Sequence, residues 1–180
     1  RFAVNGTSGI VTVANGSLLN YEAGTSHTIT VLATSADGST SSQSFTINLT
    51  DVDEFNVGAV TDVNATANVV AENAANGTTV GITASASDPD GTTNAITYSL
   101  SNNAGGRFAI NSASGIVTVA NGSLLNHEAT TSHSITVVAT SADGSTSSQG
   151  FTINLTDVDE FNVGPITDAD AAPDSVNELA

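Results

Sequence analysis

Residues 1–22 (RFAVNGTSGIVTVANGSLLNYE) return at residues 107–128 (RFAINSASGIVTVANGSLLNHE), and this repetition limits the fold more than any other feature. Across residues 1–57 the offset is a constant 106 positions without a gap, and 49 of the 57 aligned residues are identical. A unit copied so closely is one supersecondary module used in tandem, so the chain is to be read as an array rather than as one domain of 180 residues. The match continues more weakly from GAVTDVN at Gly58 to GPITDAD at Gly164. The expected organisation is the C-terminal half of a repeat at 1–57, a complete repeat at 58–163, and the first strand of a third repeat at 164–180. Both ends are then expected to cut through modules of a longer array.

Within the complete repeat the apolar period is two rather than 3.6, the pattern of strands with one buried face. Ile135, Val137 and Ala139 alternate with Thr136, Val138 and Thr140, and Phe151, Ile153 and Leu155 with Thr152, Asn154 and Thr156. Further strands are expected near 69–71, 78–86, 94–100, 107–111 and 116–120. Turn pairs such as Asn76-Gly77, Asp90-Gly91, Ser114-Gly115 and Asp143-Gly144 separate them. Leu124 and Leu125 break the alternation within 122–128, which predicts a short helical turn. About seven short strands per roughly 100 residues, punctuated every 8 to 12, predict an all-β chain of tandem seven-stranded Greek-key β-sandwich repeats, immunoglobulin-like in architecture.

Eighteen acidic residues face two basic ones, Arg1 and Arg107, for a net charge of -16. That field repels nucleic-acid phosphates and anionic membrane surfaces. The absence of lysine excludes Schiff-base chemistry and lysine-assisted phosphate binding, and the absence of cysteine excludes disulfides, thiolate catalysis and cysteine-based metal sites. No apolar stretch approaches a membrane span, and no secretory leader is expected within these residues.

The acids gather at strand ends and turns. In the complete repeat all but Asp62 fall at Glu72, at Asp88 and Asp90, at Glu128, at Asp143, and at Asp157, Asp159 and Glu160. On a sandwich such positions collect at its two ends. Because successive repeats are joined by only a few residues, the trailing end of one abuts the leading end of the next. The boundary within this chain should therefore unite Glu22, Asp51, Asp53, Glu54, Asp88, Asp90 and Asp143, with Asn20 and Asn56 able to add amide oxygens. Like charges about 4 Å apart repel by roughly 1 kcal/mol even at water's dielectric. A dense oxygen-ligand set without His or Cys selects a hard cation, and Ca²⁺ tolerates six to eight irregular oxygen ligands where Mg²⁺ demands an octahedron.

In these motifs the repeat resembles a cadherin repeat, of the cadherin-like kind found in very large bacterial surface adhesins. Glu72 in Ala71-Glu72-Asn73 resembles that family's base glutamate. Asn126-His127-Glu128 stands where the family has Asp-Arg-Glu, Asp88-Pro89-Asp90 resembles its DxD motif, and Asp143 its AxDxG segment. The DVDEF run from Asp157 resembles the DxNDN linker, and FAINSASGIVTV at 108–119 its apolar hairpin. The resemblance implies calcium ions bound between successive modules, stiffening the array. It assigns Glu72, Glu128, Asp157, Asp159, Glu160 and Asn126 to the next boundary. Two departures stand out: Asn20 and Asn126 replace an aspartate ligand, and Phe55 and Phe161 replace a linker asparagine. The expectation is then two ions per junction rather than the family's three, with Asp53 in place of an asparagine that contributes mainly through its backbone.

The resulting expectation is a calcium-rigidified spacer of an extracellular bacterial adhesin or surface filament, serving adhesion or biofilm formation, with neighbouring repeats as partners. The alternative is a directly adhesive or self-assembling module, with copies binding one another, donating a strand, or binding glycans. Enzymatic activity is not expected. No GxSxG elbow accompanies the histidines, and crowded carboxylates in a thin junction leave no glycosidase cleft. His27 and His133 open strands and are expected to face solvent.

Overall fold

In the computed structural model, which describes residues 1–160, 162–170, 172–176 and 178, the period-two runs become twelve strands. The first four belong to residues 1–57: β1 (Phe2–Val4), β2 (Val11–Val13), β3 (Ser26–Thr34) and β4 (Thr40–Asn48). Eight follow in residues 58–163: β5 (Thr61–Asp62), β6 (Val69–Ala71), β7 (Thr79–Ser85), β8 (Ile96–Asn102), β9 (Phe108–Ile110), β10 (Ile116–Val119), β11 (Ser132–Ser141) and β12 (Thr146–Thr156). The helical turn expected near 122–128 is a single 3-10 turn at Gly122–Leu124, started by the Asn121 side chain accepting from Ser123 N, and its copy lies at Gly16–Leu18.

In 58–163 one sheet has the order β5-β7-β10-β9 and the other β6-β12-β11-β8. Pairing is antiparallel except between β12 and β6, where Asn154, Leu155 and Thr156 face Val69, Val70 and Ala71 in parallel. The count of eight rather than seven arises because the opening strand is split. β5 pairs with β7 in one sheet and β6 with β12 in the other. Asp62 causes the break, since its Oδ1 accepts from Asn64 N at 2.9 Å and Thr83 N at 3.0 Å, turning the chain before it crosses. The core between the sheets is Val70, Val80, Ile82, Phe108, Val117, Val119, Leu125, Ile135, Val137, Ala139 and Ile153, every one buried. These are the inward members of the alternating runs.

Residues 1–57 repeat the second half of that sandwich. β1 pairs with β2 and β3 with β4, in the registers of β9–β10 and β11–β12. The consequence is read from equivalent residues: Val13 is 55 % exposed, whereas Val119, the same residue 106 positions on, is 1 % exposed. Phe2, Val11, Ile29 and Val31 line an open groove of about 470 Å³ between the two hairpins. The difference follows from the strands present: residues 58–106, which cover the equivalent face of the second module, have no counterpart ahead of residue 1.

His27 and His133 do not face solvent as the strand pattern suggested. Each ring lies edge-on to a phenylalanine, Phe2 and Phe108 respectively, with centroids 6.1 Å apart, and each Nε2 is shut off from solvent without a partner. The strands set the histidines, half-buried, at the margin of the core.

Candidate metal centre at the module junction

Linker residues 51–57 join the two modules, and the DPDG turn of the second module folds against them. Asp90, 2 % exposed, accepts from Glu54 N and Phe55 N, each at 3.3 Å, and its own carbonyl accepts from the Asn94 amide at 2.6 Å. Gly91 N donates to Glu22 Oε1 at 3.3 Å, and Thr92 donates to Asp51 Oδ2 through both its N–H and its hydroxyl. Gly91 is needed here: a Cβ at that position would lie 2.6 Å from a ring carbon of Tyr21. Val57 N donates to Ser145 Oγ at 2.8 Å, and the following Val60 enters the core.

This folding brings two carboxylate groups together across the junction. Glu22, Asp51, Glu54 and Asp90 present oxygens within 4.8 Å of one another, and so do Asp53, Asp90 and Asp143, with Asp90 common to both. Six of the seven acids expected at this boundary therefore meet. The seventh, Asp88, stands beside them with its Oδ1 accepting from Asp90 N at 3.2 Å. Asn20 is turned to another task, its Oδ1 accepting from Ala23 N to close the turn after it, and Asn126 does the same with Ala129 N.

At the trailing end of the second module, Glu72, Glu128 and Glu160 form a third group, and His127, Glu128 and Asp157 a fourth. Glu72 is 1 % exposed and accepts from His127 N at 2.7 Å and Val158 N at 2.9 Å. Asp159 is exposed and joins none of these groups. Phe161 lies outside the described residues.

Sequence reasoning passed over Thr92, Asn94 and Asn73, which hold Asp51, Asp90 and Glu160 through hydrogen bonds. Their adjacency to the DPDG turn and to Glu72 was the available signal. It also passed over His127 as a member of an acidic group.

The electrostatics follow from crowding without compensation. Both guanidinium groups are committed to backbone carbonyls, Arg1 to Leu18 O and Arg107 to Leu124 O and Ala104 O. Asp53 is pushed above the usual carboxylate range, first by sharing a hydrogen bond with Asp90, then by loss of hydration and the charge of Asp143. Loss of hydration, followed by the charges of Glu22 and Asp51, raises Glu54. Glu160 is raised likewise, beside Glu72 and Glu128. Asp51 is held low by the Thr92 hydroxyl, and Glu72 by the backbone N–H groups of His127 and Val158.

A model of the cadherin domain family matches residues 67–156, half of the chain. The chain is a member of the cadherin family. It is 33 % identical over 161 residues to human "Cadherin-related family member 2", covering 88 % of this chain and 12 % of that protein, so it spans about an eighth of its relative's length. Among solved structures, the protocadherin gammaB7 EC3-6 cis-dimer superposes with a TM-score of 0.72 at 22 % identity, over 89 % of this chain and 38 % of that one. Chicken VE-cadherin EC1-2 does so with a TM-score of 0.65 at 23 % identity, over 87 % of this chain and 78 % of that one. These likenesses carry the fold: an all-β, cadherin-like sandwich. Cadherin domains are extracellular adhesion modules that generally bind Ca²⁺. Among the described residues no helix is long and apolar enough to cross a membrane.

The junction residues fit such an ion on their own chemistry. Asp88 Oδ2 and Asp51 Oδ1 are closed off from solvent with no hydrogen-bond donor, and Asp88 as a whole is 8 % exposed. A buried carboxylate oxygen without a donor is costly unless a cation meets it. The surrounding donors at this junction are all carboxylate, hydroxyl and carbonyl oxygens, the set that suits Ca²⁺.

Proposed function

We propose that this chain is a calcium-rigidified spacer from a tandem cadherin array of an extracellular adhesin, of the kind that large bacterial surface adhesins use to hold a binding domain away from the cell. Residues 58–163 are one complete repeat, 1–57 the second half of the repeat before it, and 164–180 the opening of the next. The observation that carries the reading is the pair of carboxylate groups sharing buried Asp90 across the junction, together with the donorless oxygens of Asp88 and Asp51. Glu22, Asp51, Glu54 and Asp90 would hold one ion, and Asp53, Asp88, Asp90 and Asp143 a second. Glu72, Glu128, Asp157 and Glu160 would serve the following junction, with Asp159, Asn20 and Asn126 outside the ligand sets. Bound Ca²⁺ supplies positive charge that ties linker, hairpin turn and second module into one body. Without it the same carboxylates repel and the linker is a hinge.

Near-identity of adjacent repeats supports a spacer, because length requires many copies whereas a ligand site requires one. Calorimetric titration with Ca²⁺ tests the assignment. The wild-type chain should bind ions, and Asp90→Asn should weaken two of them at once, since Asp90 belongs to both groups; Glu160→Gln should leave those two unchanged. Titrations of wild type and Asp90→Asn that superimpose would overturn it.

A further inference from the structure

Ser141 breaks the pattern of the strand that carries it. The inward positions of β11 run Ile135, Val137, Ala139 and then Ser141, so the last of them turns a hydroxyl toward the core, at 3 % exposure. A buried hydroxyl needs a partner, and Ser141 Oγ donates to Thr93 O at 3.0 Å. The Ser141 backbone meanwhile closes the turn that follows, with Ser141 N donating to Ser145 O and Gly144 N to Ser141 O, each at 3.0 Å. That turn carries Asp143, whose Oδ1 accepts from Ser145 N at 2.7 Å.

The acceptor of that hydroxyl is a strained residue. Thr93 has φ of +41°, left-handed backbone that a β-branched side chain rarely adopts, and among the described residues it is the only β-branched one with positive φ. The reversal at Thr93 separates two residues that hold junction acids. On one side Thr92 donates to Asp51 Oδ2 through its N–H and its hydroxyl, reaching out to the linker. On the other, the Asn94 amide donates to Asp90 O at 2.6 Å, folding back onto the DPDG turn. Both of these ties belong to the group of Glu22, Asp51, Glu54 and Asp90. The Ser141 bond comes instead from the strand that leads to Asp143, a member of the other group.

We propose that Ser141 is a positioning residue for the junction ions, an inference that rests on the calcium reading above. By gripping Thr93 O it holds the 88–94 turn in its left-handed form before an ion arrives. Asp90 and Asp51 are thereby set for the first carboxylate group in step with Asp143 of the second. The hydroxyl touches none of these acids and acts through Thr93 alone. With Ser141 in place, the strain at Thr93 is met when the module folds. Without it the turn relaxes to unstrained backbone, and ion binding must restore the reversal each time, so affinity falls.

Calorimetric titration of the whole chain with Ca²⁺ tests this, read on the binding component that Asp90→Asn weakens. Ser141→Ala should weaken that component about tenfold, the scale set by one strained residue. Glycine takes left-handed backbone freely, so Thr93→Gly alone should leave binding nearly unchanged, and added to Ser141→Ala it should restore affinity to within about threefold of wild type. Ile135→Val trims the core on the same strand and should lower the melting temperature while leaving the affinity as it was, which separates positioning from general loss of stability. Wild-type affinity in Ser141→Ala would overturn the inference and leave the calcium reading standing. So would a loss that Thr93→Gly does not rescue, or an equal loss in Ile135→Val. A wild-type chain that binds no Ca²⁺ would overturn the calcium reading itself, and this inference with it.

Discussion

Ile29 and Ile135 are the same residue in the same strand of the same repeat, yet Ile135 is 1 % exposed and Ile29 lines an open groove. Alanine at each position isolates what the first half of a repeat contributes. At Ile135 the substitution removes about three buried carbon groups at about 0.8 kcal/mol each. The partners Val80, Ile82 and Val117 are fixed in facing strands and cannot collapse into the space, so a cavity contribution of about 1 kcal/mol is added. The total is about 3 to 4 kcal/mol. For a module of this size, with about 4–8 °C per kcal/mol, the main transition should fall by about 12–32 °C. At Ile29 no closed cavity can form and the side chain is already partly hydrated, so the cost should stay below about 1 kcal/mol. The assay is calorimetric melting of both variants. Equal shifts would refute the reasoning, because they would mean that residues 1–57 are packed as tightly as their copy.

Two further predictions rest on the same pairing of copies. A Cβ at Gly122 would run into Ala74 O, whereas Gly16 has open space around it, so Gly122→Ala should cost more than about 2 kcal/mol and Gly16→Ala less than about 0.5, read by urea unfolding. Burial, helped by the charge of Arg107, depresses the His133 pKa below its usual value. A group depressed in this way makes stability rise as pH climbs from the folded value to the ordinary histidine value near 6.5, and stability falls on acidification through that window. His133→Phe should therefore melt with a smaller difference between pH 7.5 and pH 5.5 than the wild type; an unchanged difference would contradict the buried-ring assignment.

Much of this was legible in the sequence, for physical reasons that also mark its limits. Strict alternation such as Ile135-Thr136-Val137 fixes both strand and buried face, and turn pairs fix where strands end. Acids placed only at those ends had to converge wherever modules meet, which is how six junction acids were identified without coordinates. The two-residue strand β5 was not legible, because its pairing depends on Asp62 bonding to Thr83 on a distant strand. The histidines were misjudged because period-two reasoning assigns a face but not what that face meets at a sandwich margin. Asn20 and Asn126 keep the position of a ligand, yet their oxygens close a local turn, a competition that short side chains often settle in favour of the backbone.

If divalent ions make the two modules one body, small-angle scattering of the wild-type chain in calcium should give a rod-like particle with a well-defined maximum dimension. In chelator the distribution of dimensions should broaden and the melting temperature fall, as the carboxylates around Asp90 repel. A distance distribution and a melting temperature unchanged by chelator would contradict it.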